Sequence, residues 1–250
     1  MNGEFDNREE AGWPPENTVF RLRTVMLRVE PGEHPFHVRE KQRASENWVA
    51  ESRANPALFD GSMVFQDKLA ISNGDIRATG HIVPYSTFLW WRRQPGGAGG
   101  FHVFALPVPV SSDGAIIAIR MAPHTANAGL VYCPAGSLDA SDVVDGICDI
   151  HGNMVREVRE ETGLDLTAAA ADADSYALHC DRRVALFRCF RFPLTADEML
   201  ERIAAHMAVD ADKEIDAAVA IRSADPAAHP YQPAMLPLLE WFFGEAAGER

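Results

Sequence analysis

Apolar and polar positions alternate in part along TVFRLRTVMLRV (18–29), which predicts a strand. Residues 34–54 are charged with sparse apolar spacing, the pattern of an exposed helix, and NPALFDG (55–61) ends it with Pro, Asp and Gly. Strand-like runs at 62–71 and 75–83 flank Asn73-Gly74, a dipeptide suited to the positive φ angles of a tight hairpin. YSTFLWWRR (85–93) reads as a short helix with an aromatic cluster, and PGGAGG (95–100) as a flexible joint. That joint lacks the Lys-Ser/Thr of a P-loop. It divides the chain into an N-terminal extension, 1–100, and a core with a C-terminal helix, 101–250.

Within the core, 101–110 and 115–121 form a hairpin-like pair across SSDG, and 129–134 is another short strand. A helix near 150–162 stops at Gly163, a residue suited to the left-handed position after a helix. SYALHC and VALFRCFRF straddle Asp181-Arg182-Arg183 as a third strand pair. A helix at 195–207, a strand at 215–223 and an apolar helix at 235–245 complete the order. Strands and helices mix without a regular βαβ repeat, so the expected class is α+β with a mixed sheet.

Composition narrows the function. Apolar residues make up 47% and charged residues 24%, ordinary values for a chain with a real core. Thirty-six acidic against twenty-three basic residues give a net charge of −13, which argues against nucleic acid or an anionic membrane as partner. Cys133, Cys148, Cys180 and Cys189 have no CxxC spacing and read as reduced thiols of a cytoplasmic protein. The start is polar and acidic, unlike a secretory or mitochondrial signal, and the first dozen residues read as loosely attached.

One segment runs against the electrostatics. REVREETGL (156–164) puts Glu157, Glu160 and Glu161 at i, i+3 and i+4, on one helical face, where like charges destabilise by about 0.2–0.5 kcal/mol per pair. Convergent carboxylates suit a hard divalent cation, which takes oxygen ligands and removes the repulsion. Arg156, four residues before Glu160, can pair with and orient that carboxylate. A solvated Glu/Arg-rich face is the alternative reading of the helix alone.

The segment matches the Arg-Glu-apolar-x-Glu-Glu-x-Gly-apolar half of the Nudix box, and GLVYCPAGSLDASD resembles the strand and glycine loop that lead into it, with Gly136 as the loop glycine. The chain therefore resembles the Nudix hydrolases over 129–166. Two departures stand out. Read forward from Gly136, the acidic loop position falls on Asp142, and the loop is then six residues longer than the family's; Ala135 replaces a second glycine.

The resemblance implies an α/β/α sandwich with a mixed sheet and an N-terminal extension. It implies a Mg²⁺- or Mn²⁺-dependent hydrolase that splits the diphosphate of a nucleoside diphosphate linked to another group. Glu157, Glu160 and Glu161 would be the ligands, with Arg156 orienting them. Glu214, then Asp212, are the candidates for a general base outside the box. Gly136, Arg120 and His124 are candidates to face the substrate. The N-terminal NPALFDG and YSTFLWW resemble UDP-sugar hydrolases, with Phe88, Trp90 and Trp91 able either to stack on a base or sugar or to pack in a core. The pre-box segment, with Arg120, Gly129 and Pro134, resembles coenzyme A diphosphatases. A Nudix-fold ligand sensor without catalysis is the rival from another class, and the terminal helix leaves room for a homodimer.

Overall fold

The computed structural model describes residues 12–248. The expectation for the first dozen residues falls largely on 1–11, outside that range. In chain order the elements are β1 (Phe20–Arg21), β2 (Thr24–Val29), α1 (Pro35–Ala54), β3 (Ser62–Ser72), β4 (Asp75–Pro84) and α2 (Tyr85–Trp91). Then come β5 (His102–Val110), β6 (Ile116–Met121), β7 (Val131–Tyr132), β8 (Val143–Val144), β9 (Ile147–Cys148) and α3 (Ile150–Thr162). The chain continues with β10 (Ala170–Ala171), β11 (Tyr176–Cys180), β12 (Arg183–Arg191), α4 (Ala196–Val209), β13 (Ile215–Ile221) and α5 (Met235–Gly248).

The class is α+β, as expected. The larger sheet runs β1-β11-β12-β5-β6-β13, with β10 on β12 and β7 on β6; β12 and β5 are parallel and the other pairs antiparallel. The smaller runs β3-β4-β2-β9-β8, with β2 parallel to β4. Side-chain alternation decides how they stack. Val103, Ala177, Val184 and Leu186 face a core shared with Leu27, Val64, Leu69 and Ile76 of the smaller sheet. The intervening Phe104, Leu178, Ala185 and Phe187 face the opposite core, which takes in Met154 and Val158 of α3, Met199 and Ile203 of α4, and Leu238 and Leu239 of α5. One end of the larger sheet is thus covered on both faces.

Two expectations are corrected. The strand at 18–29 is two strands in different sheets, because the Leu22 N–H donates to Ser175 and the Arg23 N–H to Gly74 at the crossing. PGGAGG is not a loose joint: the Trp91 indole donates to the Gly97 carbonyl at 2.8 Å, and Gly97, Gly99 and Gly100 are buried among aromatic side chains. The division at residue 100 is crossed twice, since β1 belongs to the larger sheet and β8–β9 extends the smaller one through Arg28 and Ile147. The Asn73-Gly74 hairpin is present, with φ of 51° and 81°. The described cysteines are free, three of them buried, and no described helix is long and apolar enough to cross a membrane.

The start of α1 shows how a local choice carries a global consequence. Pro35 occupies the first turn, where no N–H is needed. His34 is the N-cap; its Nδ1 accepts from the Phe36 N–H at 3.0 Å, and its ring stacks on Phe65 with centroids 4.4 Å apart. Burial pushes the imidazole down from 6.5 to about 4. Because the folded value lies below the unfolded one, the unfolded chain takes the proton first, and stability falls as pH drops from 6.5 towards 4. Denaturant unfolding over this range should therefore show wild type losing about 1.4 kcal/mol per pH unit more than His34→Asn, which keeps a cap and loses the titration. Parallel pH curves for the two proteins would remove His34 from this role.

Candidate active site

Helix α3 brings the box carboxylates to the cleft. Asp149 caps it by accepting from Gly152, and Gly163, at φ 69°, ends it. Met154 and Val158 anchor one face in the core, which fixes the rotation of the other. Glu157 and Glu161 point inward and are buried, whereas Glu160 is exposed.

Arg156 is the hub. Its Nη1 lies 2.8 Å from Glu157 Oε1 and 3.0 Å from Glu160 Oε2, and its Nη2 donates to Asp142 Oδ2 at 2.9 Å. Asn153 Nδ2 also donates to Asp142 at 3.0 Å. Burial works against the Arg156 charge, but Glu157, Asp142 and Glu160 more than restore it, so the guanidinium stays protonated. Asp142, the acidic residue reached by counting forward from Gly136, is buried and held by the box arginine.

The carboxylates beyond this clamp are under-compensated. Glu161 Oε2 accepts from the Ala135 N–H at 2.8 Å, yet burial, then Glu157 and Glu214, push its pKa far up. Burial raises Glu157 to about 7 against the opposing pull of Arg156, with Glu160, Asp142 and Glu214 adding to the rise. Glu214, ahead of β13, is raised by desolvation and by Asp212, Asp210 and Glu160, while His124 opposes. The structure thus brings Glu214 into the field of the box helix and sets Asp212 and His124 beside it. All three line a groove of about 700 Å³ that Ser137 and Tyr85 also border.

A hard divalent cation fits this donor set: oxygen ligands only, two of them buried with fewer hydrogen-bond donors than their lone pairs could accept. Glu157, Glu160 and Glu161 could hold it. Glu157 and Glu160 pair with Arg156 and Glu161 accepts from the Ala135 N–H, so their oxygens are not gathered on one point. Among the described residues the one trio of potential ligand atoms mutually within 4.8 Å is Glu16, Cys180 and Asp181, on the surface.

Other expected site residues divide. Gly136 is at the site, for a steric reason: a Cβ there would lie 2.1 Å from Glu157 Oε1. Arg120 is engaged by Asp216 at 2.6 Å on the β6–β13 edge and lines none of the cavities at the box. Trp91 is fully buried and Trp90 donates to Glu40, so both pack rather than stack on a ligand; Phe88 alone of the three borders a cavity. Several residues were not anticipated. Tyr132 is buried within the field of Glu161 and Glu214, which with burial push its phenol up. Asn127 donates to its Oη at 3.2 Å and accepts from Arg92 at 3.1 Å. The place of Tyr132 at the end of GLVYC, just before the glycine loop, was a usable signal; nothing local marked Asn127 or Arg92.

Gly136→Ala tests the packing. The Glu157 carboxylate is the mobile end of a side chain, so it should swing away while the fold persists, with a stability change of about 1 kcal/mol or less. Mn²⁺ affinity measured by calorimetry should fall at least about ten-fold, roughly 1.4 kcal/mol. Undiminished affinity would show that the contact between loop and helix does not set the carboxylate.

The chain matches no protein-family model and no curated protein. It is similar in structure to the MutT protein from Methanosarcina mazei Go1, at 16% identity over 58% of this chain and 95% of that one, with a TM-score of 0.40. It is similar to a Nudix hydrolase from M. smegmatis, RenU, at 14% identity over 59% and 86%, TM-score 0.38. It is also similar to DR0079 from Deinococcus radiodurans, at 10% identity over 73% and 99%, TM-score 0.43.

Proposed function

We propose that the chain is a Nudix-type hydrolase that uses Mg²⁺ or Mn²⁺ to split the diphosphate of a nucleoside diphosphate linked to another group. The reading rests on one observation above all. Glu157 and Glu161 are buried on α3 against the Ala135–Gly136 loop, with their negative charge only partly offset. Fixing two such groups in a cleft is unfavourable unless a cation or protons complete the site. The match of REVREETGL to the Nudix box supports the same assignment.

A cation held by Glu157, Glu160 and Glu161 would neutralise the diphosphate and acidify a bound water. The remaining work belongs to the chain. Arg156 keeps Glu157 and Glu160 in place while Asp142 keeps Arg156 in place. Glu214 is the candidate base: its raised pKa moves it towards the range in which a carboxylate can accept a proton near neutrality. Water oxygen forms the new P–O bond, the bridging P–O bond breaks, and the water's proton passes to the Glu214 carboxylate. Arg120, paired with Asp216, is given no substrate contact.

The test is product release from UDP-glucose, ADP-ribose, NADH and coenzyme A, with Mg²⁺ and with chelator. Turnover of at least one, abolished by chelator, is expected. Glu160→Gln and Glu161→Gln should each lower kcat/KM by about 100-fold or more with the circular dichroism spectrum unchanged. Glu214→Gln should lower kcat by about 10²- to 10⁴-fold. Tight binding of one compound without turnover would favour a sensor, and near-wild-type activity in Glu160→Gln would remove that residue from the site.

A further inference from the structure

A cavity of about 130 Å³ opens beside the box, with Tyr132, Ala135 and Gly136 at one end and Arg92, His102 and Arg183 among its other walls. A second cavity, about 310 Å³, shares Arg92, Phe104, Asn127, Arg183 and Gln232 with it but touches neither Ala135 nor Gly136. The shared residues form a neck. Both guanidinium groups thus border the cavity that also touches Ala135 and Gly136, the loop against which Glu161 and Glu157 pack.

These cations are poorly neutralised. Arg92 is tied to the neutral Asn127 Oδ1 at 3.1 Å, and among the described residues it forms no ion pair. Among the described residues Arg183 forms one ion pair, with Asp181 at 4.0 Å, whose side chain is mostly in water. Each is braced by an aromatic face, Arg92 over Phe88 and Arg183 over Trp91. Between them His102 Nε2 is buried without a partner. Burial and the two arginines hold that imidazole down at about 3, so it stays neutral and able to hydrogen-bond a ligand. In a chain of net charge −13, two braced guanidiniums on one neck, with an unpartnered ring nitrogen on the wall of the smaller cavity, are an anion-binding arrangement.

We propose that Arg92 and Arg183 form a subsite for a phosphomonoester that the substrate carries in addition to its diphosphate, and that they select such substrates over their dephosphorylated counterparts. This deepens the hydrolase reading and rests on it for the word substrate. A diphosphate held against α3 occupies the cavity lined by Ala135 and Gly136, while the neck lies beyond it and meets the next anion along the molecule.

Matched pairs test this: NADPH against NADH and coenzyme A against dephospho-coenzyme A in turnover with Mg²⁺, and adenosine 3′,5′-bisphosphate against AMP in calorimetric binding with chelator. Wild type should prefer the phosphorylated member of at least one pair by about 10-fold or more, the range of a charge-assisted hydrogen bond. In Arg92→Gln and Arg183→Gln that ratio should fall towards one, and Arg183→Lys should restore part of it. A wild-type ratio near one in every pair overturns the proposal. So does an unchanged ratio in both glutamine variants, which would mean that the arginines hold the diphosphate itself. Absence of all turnover would sink the hydrolase reading, while the chelated binding ratio would still decide the subsite. Thermal unfolding of each variant guards against loss of fold.

Discussion

One guanidinium, Arg156, faces three carboxylates, and the cleft is arranged around that imbalance. It reaches Asp142, Glu157 and Glu160 but leaves Glu161 and Glu214 to a backbone N–H and to solvent. Burying a charge is costly unless it is paired, and a buried carboxylate is most cheaply kept when paired or protonated. Arg156 therefore fixes Asp142 on one side and the helix face on the other. Whatever charge binds beside Glu157 and Glu161 completes an account that the protein alone leaves open.

The lengthened loop is part of the same arrangement. Its extra residues are not slack: Val143–Val144 and Ile147–Cys148 pair with each other, and Ile147 joins β2 opposite Arg28. Just before them Asp139 and Asp142 cap a short 3₁₀ turn reciprocally, which sets the Asp142 backbone before its carboxylate meets Arg156. A segment that could have left Asp142 loose instead ties it to the smaller sheet. Stability of that sheet and geometry of the cleft are thereby linked through one stretch of chain.

Local chemistry explains what could be read from sequence. The Asn73-Gly74 hairpin, the Gly163 stop of α3 and the box carboxylates are set by residues within four positions of one another. Non-local pairing explains the rest. The division of 18–29 between two sheets depends on Ser175 and Gly74, far along the chain. Arg120 was expected at the substrate because it lies upstream of the box, but the β6–β13 register sets it beside Asp216. Asp142 could be found by counting from Gly136; its hold on Arg156 could not, because the two lie 14 positions apart in the chain.

The N-terminal region then ceases to be an accessory. Helix α2 supplies Tyr85 and Phe88 to the cleft walls and its C-cap supplies Arg92; the helix is held by Phe36 and Phe65 through the aromatic cluster around Trp91. From Arg92 a hydrogen-bonded path runs through Asn127 to Tyr132, which lies in the field of Glu161. Negative groups cluster at one end of this path and positive groups at the other, in a molecule that is acidic as a whole. Low-dielectric material between the two ends lets each group feel the other more strongly than it would through water. Tyr132 and Phe104, both buried, and the half-buried His102 supply that material where a core strand and the N-terminal helix wall the same cavity.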